Sequence, residues 1–220
     1  SPARKQRAAE AGALEAVVAA MRAHPQLADE QKEACRALGN VCCGDDAAAP
    51  ARKQRAAEAG ALEAVVAAMR AHPQLAGVQK EACRALGKVC CGDDAASPAR
   101  KQRAAEAGMI EAVAAAMRAH PQALMVQIQG LCGLHSLCNG ADAAVRARAQ
   151  RAAEAGFIEA VVAAVRTHQE DPNVMLLGCM SLDAVCCGDD AASPARKQRA
   201  AEAGALEAVV AAMRAHPQVA

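Results

Sequence analysis

The chain has 220 residues, with 25 basic and 24 acidic side chains and a formal net charge of +1, so no strong global field steers it to nucleic acid or to a membrane. It holds eleven cysteines but a single aromatic residue, Phe157, and so lacks the Trp and Tyr anchors that dominate tight interfaces. No run of 18 apolar residues offers a membrane span and no signal peptide precedes residue 1, so the cysteines are expected as reduced, core-packing thiols of a cytoplasmic or nuclear protein.

The elements recur. "RAAEAG" begins at Arg7, Arg55, Arg103, Arg151 and Arg199, 48 residues apart each time. "CCGDD" recurs at Cys42, Cys90 and Cys186, and "CNGAD" fills the same slot from Cys138. A fixed period of this length marks a repeat protein. The expected division is one array over 1–220, with units 1–48, 49–96, 97–144, 145–192 and a partial unit 193–220.

In the second unit, Pro50 suits the first turn of a helix; in the third and fifth units Ser97 and Ser193 precede that proline and are expected to cap the helix. "ARKQRAAEA" then stops at Gly60, a position favouring a left-handed residue. A second helix, "ALEAVVAAMRA", places Leu62, Val65, Val66 and Met69 on one face, and His72-Pro73 ends it. A third, "VQKEACRALGKVCC", is expected to bury Val78, Ala82, Ala85, Leu86, Val89 and Cys90. Gly92 ends it, with Asp93 and Asp94 ahead of the next helix. No strand signal occurs, and no unit covers its own apolar faces, so stacking must build the core.

"RAAEAGALEAVVAAM" followed by "VQKEACRALGKVC" resembles the armadillo repeat, whose units run short helix, apolar helix and long third helix. The resemblance covers the whole chain. It implies an all-α, right-handed α-solenoid of three-helix repeats whose third helices line a concave groove, and a non-enzymatic role in holding a protein or extended peptide there.

The Cys, Asp and His positions read as scaffold. "GDD" follows a helix-ending glycine in an all-helical context, unlike the strand turn in which that motif serves polymerases. Equivalent cysteines lie in different repeats, packed helices sit about 8–10 Å apart, and zinc needs ligands near 2.0–2.3 Å. His24, His72, His120 and His216 occupy one slot before proline, with His168 matching it. No catalytic, cofactor or metal residue is assigned. "ARKQR" and its counterparts (Arg52, Lys53 and Arg55; Arg146, Arg148 and Arg151) hold fifteen of the 25 basic residues. They read as a solvated ridge partly neutralised by Asp45, Asp46 and their equivalents.

The repeats differ along the third helices. The family's Trp position falls on Arg36, Arg84, Cys132 and Met180, and its Asn position on Asn40, Lys88, Ser136 and Ala184. One turn earlier stand Lys32, Lys80, Ile128 and Leu176. Keeping one Asn and no Trp disfavours the basic-peptide binding of nuclear-import adaptors in this family. Instead Lys32/Arg36/Asn40 and Lys80/Arg84/Lys88 form exposed basic stripes, followed by Ile128/Cys132/Ser136 and Leu176/Met180/Ala184. That order suits a partner segment that is acidic, then apolar.

Residues 1–48 and 49–96 differ at four positions only: Ser1/Ala49, Asp29/Gly77, Glu30/Val78 and Asn40/Lys88. Asp29 and Glu30 are expected to make a polar end cap. Near-identity also admits an engineered or purely structural array without a native ligand, or a binder of anionic surfaces through the first-helix edge. Leu206, Val209, Val210 and Met213, at the end of the sequence, are expected to lack cover and to favour self-association or fraying.

Overall fold

A computed structural model describes residues 1–140 and 143–215; Asp142 of "CNGAD" and His216 lie outside them. The described residues are all-helical, with fourteen helices and no strand. They divide into two compact units, 1–112 and 113–220, taken in turn.

The first unit contains α1 (Pro2–Glu10), α2 (Ala13–Ala23), α3 (Ala28–Cys42), α4 (Ala49–Glu58), α5 (Ala61–Ala71), α6 (Ala76–Cys90) and α7 (Ser97–Glu106), and it ends within α8 (Met109–Ala119). Short, medium and long helices therefore recur in the order that the 48-residue period predicts. Leu62, Val65, Val66 and Met69 are all buried on α5, as are the six residues expected on α6. Gly60 ends the α4 segment at φ +86°, a backbone conformation costly for any residue with a Cβ. The Arg22 guanidinium also occupies the space a Cβ would need there.

Three further α6 residues are buried: Gln79, Glu81 and Cys83. Gln79 Nε2 donates to the Met69 and His72 carbonyls, at 2.9 Å each. It thereby satisfies the Met69 carbonyl, which the end of α5 leaves open, and adds a second bond to the His72 carbonyl, which also accepts from the Leu75 amide. Gln31 does the same for Met21 and His24. A buried amide so satisfied locks the second helix to the third.

The second unit begins within α8 and continues with α9 (Leu124–Cys138), α10 (Ala143–Glu154), α11 (Phe157–Thr167), α12 (Pro172–Cys186), α13 (Ser193–Glu202) and α14 (Ala205–Ala215). Gln127 caps the Met117 and His120 carbonyls in the same way. Met175 replaces that glutamine in the next repeat, and Asp171 instead caps α12 through the Asn173 and Val174 amides. Phe157 is fully buried in this unit's core.

The cap expectation for serine is corrected. Ser97 and Ser193 lie inside their helices, and their hydroxyls donate backwards, to the Gly92 carbonyl at 2.6 Å and the Cys186 carbonyl at 3.0 Å. Neither helix has a side-chain cap; Asp94 and Asp190 accept from the Ala96 and Ala192 amides in the turn just ahead.

All eleven cysteines carry free thiols. Burial pushes Cys35, Cys42, Cys83 and Cys138 up to about 12, while Cys187 is exposed. Thiolate is the reactive form. At pH 8 a thiol reagent should therefore modify Cys187 within minutes and leave those four until denaturant is added. Fast modification of Cys35 or Cys83 in the native chain, mapped by mass spectrometry, would show that the core opens locally.

Candidate functional site

Most of the sequence-conspicuous polar residues turn out to join one repeat to the next. Arg52, expected on a solvated ridge, is only 1% exposed. Its Nη1 and Nη2 donate to Asp46 at 2.8 and 2.7 Å, and its Nε donates to the Val41 carbonyl at the end of α3. Arg100 repeats this with Asp94 and Val89, and Arg196 with Asp190 and Val185. The hydrogen bonds from these arginines hold the three carboxyls at about 2, well below the usual carboxylate range. Arg148 is buried too and donates to the Leu137 carbonyl at 2.7 Å. Lys53 is also buried and donates to the Cys91 carbonyl.

The ridge is thus corrected in part: five of its fifteen basic residues, Arg52, Lys53, Arg100, Arg148 and Arg196, are buried, while Arg4, Arg7, Arg146 and Lys197 are exposed. Arg52 lies on the same face as Ala49 and Ala56, both buried, and these small side chains leave room for an inward guanidinium. The second Asp of "GDD" is its acceptor. The Asp-to-Arg spacing of six residues, repeated in the units, was the available signal.

Other joints follow the same logic. Arg55 reaches Glu15 at 2.6 Å, Arg103 reaches Glu63 at 2.6 Å, and Arg199 reaches Glu159 at 2.5 Å, each from a first helix to the second helix of the preceding repeat. His72 Nε2 lies 2.9 Å from the Pro25 carbonyl oxygen, and His168 Nε2 lies 2.8 Å from that of Pro121. These imidazoles act across a repeat boundary as well as ending a helix. Among the described residues no group of three or more His, Cys, Asp or Glu is placed to hold a metal ion.

The twelve positions expected to line a groove lie on the third helices, and none of them is buried. In the first unit, α3 packs on α6, bringing Lys32, Arg36 and Asn40 beside Lys80, Arg84 and Lys88. The basic stripe expected there is largely neutralised. Lys32 pairs with Asp29 at 3.1 Å and Arg36 with Glu33. Lys80 and Arg84 both pair with Glu81, at 3.0 and 2.9 Å. Burial pushes the Glu81 carboxyl up, but the hydrogen bonds from Lys80 and Arg84 outweigh it and the net shift is downward.

Arg84 is the larger correction. It is not a free groove cation: its Nη2 donates to the Arg36 carbonyl at 2.9 Å, and its guanidinium lies against Gly39. Asn40 and Lys88 stand apart. Asn40 is exposed and Lys88 half-buried, and neither side chain takes part in a hydrogen bond or ion pair among the described residues.

In the second unit, α9 packs on α12. Ile128, Cys132, Ser136 and Ala184 are half-buried there, while Leu176 and Met180 are exposed. Ser136 Oγ turns back to the Cys132 carbonyl at 3.0 Å, and His135 Nδ1 lies 3.2 Å from the Met180 carbonyl oxygen. Leu176 and Met180 are the large apolar side chains exposed among these positions.

The chain matches no family model, no curated protein and no solved structure with which it was compared. No described helix is long and apolar enough to cross a membrane.

Proposed function

We propose that the chain is an armadillo-type α-solenoid that works as a non-enzymatic scaffold, holding an extended partner segment on its third helices. One observation carries this reading. The clamps and inter-repeat ion pairs engage many of the polar residues that repeat, whereas variation is concentrated on the third helices. Three of the four differences between residues 1–48 and 49–96 lie there, and one is Asn40/Lys88. An amide and an ammonium at equivalent positions of neighbouring repeats offer hydrogen bonds to a peptide backbone and attraction to a carboxylate. The first unit's surface suits an acidic segment, and the apolar surface of the second suits hydrophobic side chains.

The alternative of an anionic-surface binder working through the first-helix edge loses Arg52, Lys53, Arg100, Arg148 and Arg196, which are buried, and keeps the exposed Arg4, Arg7, Arg146 and Lys197. The scaffold reading is tested with a labelled peptide rich in Asp and Glu, titrated by fluorescence anisotropy. Asn40→Asp with Lys88→Glu should weaken binding roughly tenfold, about 1.4 kcal/mol, and raised salt should weaken the wild-type complex. Equal affinity for both chains at low salt would remove the third-helix surface as the site.

A further inference from the structure

Lysine stands at one slot of the first helix as Lys5, Lys53, Lys101 and Lys197, and in the fourth repeat alanine replaces it, as Ala149. In the first and second repeats that ammonium has a fixed destination. Lys5 Nζ donates to the Cys43 carbonyl at 2.6 Å, and Lys53 Nζ to the Cys91 carbonyl at 3.1 Å. Each acceptor is the residue just past a third helix. The equivalent carbonyl of the fourth repeat belongs to Cys187, just past α12, and it accepts no hydrogen bond among the described residues. Where the lysine is missing, the second unit has a cavity of about 320 Å³, lined by Ala149, Cys187 and the ends of α9 and α12.

We infer that this cavity takes a primary alkylammonium group from outside the chain, seated as the lysine ammonium is seated in the first and second repeats. The charges around it fit. Asp183 and Asp189 both line the cavity and are exposed, and neither carboxylate has an ion pair or hydrogen bond among the described residues. Asp189 has counterparts in Asp45 and Asp93, but Asp183 has none: the other repeats carry Gly39, Gly87 and His135 there. The repeat that loses the lysine is thus the one that gains a carboxylate. The C-terminal ends of α9 and α12 add partial negative charge, which favours a cation. Val145 and Ala149, both buried, give the stem of the amine an apolar wall.

One cation already borders the cavity. Arg146 lines it and is exposed, in the slot that holds Pro50 and Pro98 in the second and third repeats. Two carboxylates against one guanidinium leave the wall negative, so Arg146 weakens the attraction for a second cation without reversing it. An anionic ligand is disfavoured by the same count. An ammonium also brings three N–H donors, enough to serve the Cys187 carbonyl and both carboxylates.

A single ammonium in a partly open cavity binds weakly, with a dissociation constant on the order of a few millimolar. Heteronuclear NMR titration of the full chain at neutral pH measures it, with n-butylamine and Nα-acetyl-lysine methylamide as probes. Both should shift the Cys187 and Gly188 amides saturably, and the uncharged Nε-acetylated form of the lysine probe should not. Whichever probe binds more tightly identifies the source: n-butylamine a free small amine, the lysine derivative a side chain presented by another protein. Asp183→Asn should weaken binding roughly three- to tenfold, and Arg146→Ala should tighten it about threefold. Ala149→Lys should abolish binding by filling the cavity from within, with an unchanged circular dichroism spectrum, since Lys53 is seated at the same slot. The proposal is overturned if neither probe shifts those amides at about 50 mM, or if the acetylated control binds equally well. It is equally overturned if Asp183→Asn, or a folded Ala149→Lys, binds as the wild type does.

Discussion

Replacing Arg100 by alanine should destabilise the first unit by about 2–4 kcal/mol, far more than a surface charge is worth. Breaking a buried pair by removing one partner costs about 3–5 kcal/mol; the lower range applies because Asp94 keeps a fifth of its side-chain surface in water. The loss combines three things: the bidentate bonds to Asp94, the bond to the Val89 carbonyl at the end of α6, and the volume of a side chain 1% exposed. Arg100→Lys should recover only part of this, since an ammonium cannot make the fork and the Nε bond together. Urea unfolding of the three chains, followed by circular dichroism, measures it.

The same clamp sets a pH signature. Asp94 is lowered from 3.8 to about 2 in the fold, chiefly by the Arg100 hydrogen bonds. A depressed carboxyl contributes stability that is fully present above its unfolded value and is lost as pH falls through the folded one. The wild-type advantage over Arg100→Ala should therefore hold down to about pH 4 and shrink between 4 and 2. A difference as large at pH 2 as at pH 7 would mean that packing, not the ion pair, carries the stability.

Helix order and the apolar faces were readable because they depend on local spacing. Leu62, Val65, Val66 and Met69 announce one face of α5 whatever surrounds it, and Gly60 marks the end of the α4 segment by a backbone need no other residue meets cheaply. The destination of the charges was not readable in that way. "ARKQR" looks like a solvated run, yet Arg52 and Lys53 turn inward while Arg55 reaches Glu15, forty residues away in the chain. Nothing local distinguishes these fates; they depend on which carbonyls and carboxylates the preceding repeat presents. At the candidate site the twelve positions are unburied, but the positive charge expected on four of them is not free. Glu33 and Glu81 stand three residues before Arg36 and Arg84, and helical spacing makes such neighbours partners.

Those glutamates govern how the third helices should be mutated. Changing Lys80, Arg84 and Lys88 together to glutamate looks harmless if all three are free surface cations, and it is expected instead to unfold the α3–α6 pair. The damage lies at Arg84. Glutamate there sets a second carboxylate beside Glu81, which is buried, and removes the donor that holds the Arg36 carbonyl across the repeat boundary. A buried carboxylate stripped of its partner and faced by a like charge costs about 3–4 kcal/mol. Lys88→Glu alone, with no partner to lose, should change stability by no more than about 0.5 kcal/mol. Thermal melts of Arg84→Glu, Lys88→Glu and the triple variant separate the two cases. If Arg84→Glu melts with the wild type, the Arg84–Glu81–Arg36 bridge is dispensable, and the full basic stripe returns as a candidate peptide contact. If it melts well below while Lys88→Glu does not, any binding lost in the triple variant reports unfolding. Only Asn40 and Lys88 can then be used to probe the surface for a ligand.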